Sequence, residues 1–221
     1  MGAITMGALA TATYAWIGAP VARHDAGGAT THATTPAPPG PVDVGFAQDM
    51  SLHHEQALVM ARLALAQGSP RVRTLAQGIV NQQLREIGTL QGWLMLWEQP
   101  ALSPRDDMQW MRDAYARSTR RDASYDRFIE NCLRSQGMPG QATPEELQAL
   151  EDSPGAEAFD IAFLRLMIRH HQGAVVMARF TAEHAASGVV QGVARAIAAE
   201  QQQELGRMAV WLRGMAGQGR P

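Results

Sequence analysis

Met50-Ser51-Leu52-His53-His54-Glu55-Gln56-Ala57-Leu58-Val59-Met60-Ala61-Arg62 returns later in the chain as Met167-Ile168-Arg169-His170-His171-Gln172-Gly173-Ala174-Val175-Val176-Met177-Ala178-Arg179. The match extends upstream at the same offset, where Asp43 and Phe46 recur as Asp160 and Phe163. Downstream, Ile79, Gln83, Glu86, Ile87, Leu90, Trp93 and Leu94 answer to Ile197, Gln201, Glu204, Leu205, Met208, Trp211 and Leu212, with the offset one residue longer. One residue was therefore gained in a turn between two helices. Each repeat reads as a helix-turn-helix pair of roughly fifty residues, which cannot cover its own apolar face and must stack on another.

At 100° per residue, Phe46, Met50, His53, His54, Ala57, Met60 and Ala61 fall within about 120° of arc, so the histidines lie on the apolar stripe. On the second helix, Leu75, Ile79, Gln83, Glu86, Ile87, Leu90, Trp93 and Leu94 share a similar arc, and the second repeat places Gln201 and Glu204 the same way. A buried carboxylate without a partner costs several kcal/mol, and the histidines of the adjacent helix are the available partners for Glu86 and Glu204. The spacing predicts a pseudo-twofold centre holding His53, His54, His170, His171, Glu86 and Glu204. Met50, Met60, Met167 and Met177 are core packing or further metal ligands, Gln83 and Gln201 are hydrogen-bonding neighbours, and Asp43 and Asp160 are supporting groups or make helix-start or arginine salt-bridge contacts. His53 and His170 lie nearer the stripe centre and are the better inward ligands; His54 and His171 suit holding a carboxylate or a carbonyl. Hydrogen bonds alone or a metal ion could satisfy such a core.

The first long helix is expected over Val42–Gln67, with Ser69 capping a second that starts at Pro70 and runs to about Trp97. A third is expected over Gly155–Ala186, and after Ser187-Gly188 a fourth ends near Gly214. Shorter helices fill the connection at 98–154, with starts at Ser103-Pro104-Arg105-Asp106 and at Thr143-Pro144-Glu145-Glu146, the latter a capping box. Trp93, Trp97 and Trp211 read as core.

The run from Phe159-Asp160 through His170-His171-Gln172-Gly173-Ala174-Val175-Val176-Met177-Ala178, preceded by Gly137-Met138 and Thr143-Pro144-Glu145-Glu146-Leu147, closely resembles the DUF305 family. The resemblance covers roughly 43–97 and 137–214 and implies an all-α, ferritin-like four-helix bundle made of the two repeated helix pairs. Some members of that family are exported proteins that bind copper, which implies copper as the ion. The chain differs from shorter members in its long connection at 98–136 and in lacking methionine and histidine runs near its ends.

Composition excludes several classes. The formal charge of −2 leaves no basic face for nucleic acid, and all 19 basic residues are arginine. Cys132 is the single cysteine, so there is no disulfide framework or thiolate zinc site. It packs as a small apolar residue at the Tyr125, Phe128, Ile129, Cys132, Leu133 spacing. Residues 1–22 carry no charged side chain and read as a signal or membrane anchor, and 23–41, rich in Pro, Thr and Gly, as a tether. Residues 42–216 then form the bundle, with repeat one at 43–97, the connection at 98–154 and repeat two at 155–216. That order suggests an extracytoplasmic domain. No nucleophile-base-acid arrangement names a substrate. Three readings follow: a copper-binding or sequestering protein, with zinc or iron as alternative ions; a ferritin-like dinuclear metal oxidase; or a metal-free structural or interaction bundle. The oxidase is poorly supplied, because such sites draw on carboxylates from every helix and only two are well placed here.

Overall fold

A computed structural model describes residues 38–104, 108–135 and 138–218. The expected signal or anchor at 1–22 and the tether as far as residue 37 lie outside the described residues. Seven helices are described: α1 (Pro41–Gln67), α2 (Pro70–Leu96), α3 (Gln109–Arg117), α4 (Ala123–Ser135), α5 (Pro144–Glu151), α6 (Ala156–His184) and α7 (Gly188–Gln218). No strand occurs among the described residues, and no helix among them is long and apolar enough to cross a membrane.

Local chemistry sets the helix ends. Pro41 opens α1, and the Asp43 carboxylate accepts the Gly40 N–H at 2.8 Å. Ser69 Oγ accepts from Val72 N–H at the start of α2, with Pro70 in the first turn. Thr143 and Glu146 form the expected capping box of α5, through Glu146 N–H to Thr143 Oγ1 at 3.2 Å and Thr143 N–H to Glu146 Oε2 at 2.9 Å. The helix expected from Ser103-Pro104 begins later, at Gln109, behind Met108 in the left-handed region (φ 52°). The fourth long helix runs past Gly214 to Gln218.

α1 packs along α2 and α6 along α7, giving two hairpins, and α1 crosses to α6 between them. The α1–α6 pair is antiparallel, because contacts join opposite ends. Asp43 near the start of α1 accepts backbone N–H groups of Ala186 and Ser187, both at 3.0 Å, and Asp160 near the start of α6 accepts from Ser69 N–H at 3.0 Å. Each hairpin thus uses its first aspartate to bind the turn of the other.

The apolar interior divides in two. One cluster contains Phe46, Met50, Leu90, Leu94, Met177 and Phe180 and is roofed by Trp110, Met111 and Tyr115 of α3 and by Tyr125 and Phe128 of α4. The other contains Ala57, Met60, Ile79, Phe159, Phe163, Met167 and Met208. Trp110 anchors the roof with an indole N–H to Asp49 Oδ2 hydrogen bond of 2.7 Å, and it packs against Gly45, where a Cβ would come within 2.2 Å of its ring. Cys132 is buried with Tyr125 and Phe128, whereas Leu133 is exposed. The tryptophans expected in the core are half-buried: Trp93 stacks on Trp97 with ring centroids 5.8 Å apart, and Trp211 lies under the Arg71 guanidinium at 4.0 Å.

Candidate functional site

Between the two apolar clusters lies a polar layer. His53, His54, His170 and His171 have no exposed surface. His53 and His170 face each other across the α1–α6 contact with ring centroids 3.8 Å apart, and their sequence separation of 117 makes them partners under the pseudo-twofold. His54 and His171 turn outward to the second helix of their own hairpins. His54 Nε2 meets Glu86 Oε2 at 2.6 Å, and His171 Nε2 meets Glu204 Oε2 at 2.7 Å.

These bonds decide which ring nitrogens are left over. A carboxylate or carbonyl oxygen only accepts, so Nε2 carries the proton at His54 and His171, and at His170, whose Nε2 donates to the His53 carbonyl at 2.9 Å. Nδ1 is then the nitrogen left over on these rings, and Nδ1 of His54, His170 and His171 has no partner. His53 has a hydrogen bond at neither nitrogen. The side-chain amides of Gln83 and Gln201 are likewise buried without partners, where hydrogen bonds to the centre were expected. Buried polar atoms are almost always satisfied in folded proteins, and in this layer the unpartnered ones are concentrated.

Burial, followed by the neighbouring histidines, holds both His53 and His170 well below the ordinary histidine range, so both rings are neutral at neutral pH. Burial pushes the Glu86 carboxyl up, but the His54 hydrogen bond, the His54 charge and the Gln82 amide together bring it below its usual value. Glu200 moves the other way, raised by burial and then by the charge of Glu86 beside it.

The residues expected at one centre are thus sorted into different places. Glu86 and Glu204 orient His54 and His171, and their second oxygens are taken by Gln82 (2.8 Å) and Arg207 (3.3 Å). Met50 and Met167 sit one helical turn from His53 and His170; Met60 and Met177 sit two turns away, roughly 10 Å along the axis, inside the apolar clusters. Asp43 and Asp160 bond the inter-hairpin turns rather than the histidines, Asp43 through both oxygens and Asp160 through Oδ1. Among the described residues no three His, Cys, Asp or Glu side chains already form a set able to hold a metal ion. Converging the ring nitrogens requires side-chain rotation. Sequence reasoning passed over Gln82 and Glu200, which bridge α2 to α7 by a Gln82 amide to Glu200 carboxylate hydrogen bond. Their separation of 118, the offset of the second helices, was the available signal.

The DUF305 profile, described as a domain of unknown function, matches residues 43–212. The chain belongs to the DUF305 family. Its fold is similar to that of a DUF305 protein from Streptomyces coelicolor assigned as secreted, at 32% identity, covering 79% of this chain and 94% of that one, with a TM-score of 0.65. A DUF305 fragment from Deinococcus radiodurans is similar at 30% identity over 79% of this chain and 97% of its own, with a TM-score of 0.60. The Cu(I)-bound form of CopM is similar at 25% identity over 78% and 96% of the two chains, with a TM-score of 0.53. No curated protein sequence matches this DUF305 chain significantly.

Proposed function

We propose that this DUF305 protein is an extracytoplasmic metal-binding protein that takes up copper at the His53, His54, His170, His171 layer. The observation that carries the reading is the set of buried ring nitrogens left without partners, two of them on rings whose Nε2–H is held by a carboxylate. A carboxylate that orients a histidine and raises its basicity is the usual outer support of a metal-ligating imidazole. Glu86 and Glu204 fit that role better than ligation. Imidazole suits copper in both oxidation states, and a thioether from Met50 or Met167, one turn away, suits Cu(I). When bound, the ion would satisfy nitrogens that otherwise remain unpaired in the core. The similarity to CopM in its Cu(I)-bound form supports copper over zinc or iron. The charge-free stretch at 1–22, the tether at 23–41 and the secreted assignment of the Streptomyces coelicolor relative support export. The division into anchor or signal, tether and bundle belongs to the same proposal.

The lack of a ready three-residue set favours a second reading, in which the His–Glu pairs only fix helix register. The experiment is titration of the full chain with Cu(I), Cu(II), Zn(II) and Fe(II), alongside the His53→Ala/His170→Ala variant. Tight copper uptake by the parent that is lost in the variant is expected. Equal, weak uptake by both proteins ends the copper reading, and oxygen consumption with Fe(II) would favour the oxidase.

A further inference from the structure

One short segment of the central connection touches the histidine layer directly. Residues 138–142 cross over α6 at His170 and Gly173 so closely that a Cβ at Gly173 would stand 2.0 Å from the Pro139 carbonyl oxygen and 2.9 Å from its carbon. A Cβ at Gly140, where φ is +94°, would stand 2.6 Å from the Arg169 carbonyl oxygen and 3.2 Å from that of His170. Only glycine fits at either position, because the obstructing atoms are backbone and cannot swing away. The far end of the segment is latched to α1. Gln56 Nε2 donates to the Ala142 carbonyl at 2.8 Å, and Ala142 N–H donates back to Gln56 Oε1 at 2.7 Å. Arg169 holds the middle through the Gln141 carbonyl at 3.4 Å while pairing with Glu146.

Gln56 and Gly173 occupy equivalent places in the two repeats, three residues after His53 and His170. One supplies the latch and the other the notch for the same strap, and this breaks the pseudo-twofold. His170 Nε2 is bonded to the His53 carbonyl, whereas the His53 ring makes no equivalent bond and has the Pro139 backbone beside it.

We propose that the strap Met138–Ala142 is a positioning element of the histidine centre, which holds His53 and His170 in register by tying α6 at Gly173 to α1 at Gln56 and closes this side of the layer to an ion. The inference rests on the metal-binding reading above only for its second half. Loss of the outer support that positions ligating imidazoles typically costs ten- to a hundredfold in metal affinity.

Gly173→Ala forces the strap off α6, and Gln56→Ala, at a half-buried position that leaves the helix intact, releases its latched end. Histidine ring ¹⁵N spectra of the metal-free full chain should show His53 and His170 shifted in both variants, with His54 and His171 unmoved. Release of bound Cu(I) to a competing chelator should quicken by roughly tenfold or more. The exposed Gln172→Ala variant should match the parent in both. The proposal is overturned if the Ala142 amide loses its exchange protection while the His53 and His170 signals and the release rate stay at parental values, or if Gln172→Ala produces the same changes. Absence of copper uptake by the parent itself ends the metal reading instead, and unchanged ring shifts in the metal-free variants then still overturn the positioning.

Discussion

His53 and His170 are neutral at neutral pH because burial and each other's company make protonation costly, and this fixes how the metal-free protein responds to acid. Both folded values lie below the unfolded value near 6.5. Above that pH neither state takes a proton and stability is unaffected; below it the unfolded chain binds protons that the folded rings refuse. Stability should therefore fall as pH drops through about 6.5, by up to about 2.7 kcal/mol per pH unit for two such groups. Glu86, depressed in the fold, adds to the loss at lower pH as its own carboxylate is protonated. Urea unfolding of metal-free protein between pH 7.5 and 5.5 checks this, and His53→Gln/His170→Gln should flatten the profile. A profile equally steep in that variant would place the acid sensitivity elsewhere. For Glu86, the bond to His54 at 2.6 Å predicts that Glu86→Ala costs about 1.5–3 kcal/mol in chemical denaturation, with Glu86→Gln milder because its amide oxygen still accepts from Nε2–H.

Between helices, the two aspartates show how far the sequence was legible. The repeat and its 3.6-residue periodicity located four long helices and put His53, His54, His170 and His171 inside, because apolar stripe and helical period are both one-dimensional signals. The pairing of His54 with Glu86 and of His171 with Glu204 followed from the cost of a buried carboxylate. What escaped was whatever depends on which hairpin a side chain meets. Asp43 and Asp160 share the stripe with the histidines, yet they face the opposite hairpin's turn, a fact set by the crossing of α1 and α6. The strap escaped for the same reason, since Gly173 in mid-helix is explained only by backbone from residue 139. Asp43 accepts three backbone N–H groups, from Gly40, Ala186 and Ser187, whereas Asp160 shows one, from Ser69. Asp43→Ala should thus destabilise by about 2–3 kcal/mol and Asp160→Ala by about 1 kcal/mol, measured by thermal or urea unfolding. Equal losses would contradict the asymmetry.

Over the bundle as a whole, the repeat relates His53 to His170, which face each other between α1 and α6, and Gln82 to Glu200, which bridge α2 and α7. At the Gln82–Glu200 bridge the two repeats differ in charge, with an amide in one and a carboxylate at the equivalent position of the other. Glu200 stands against Glu86 and within the field of Glu204, and burial first, then these neighbouring negative charges, raise its proton affinity. A carboxyl whose folded value lies above its unfolded one opposes folding when ionised and contributes nothing once protonated in both states. Glu200→Gln should therefore stabilise the metal-free bundle near pH 7. The gain should stay below about 1 kcal/mol, because Glu200 is largely solvated and screened. It should vanish as pH falls below about 4, where unfolded carboxyls are protonated. Raising the salt concentration should also shrink it, since screening weakens the repulsion between Glu200 and Glu86. A loss of stability at pH 7 would show instead that the Gln82–Glu200 hydrogen bond outweighs the repulsion, and that the charge difference between repeats serves to hold α2 and α7 together.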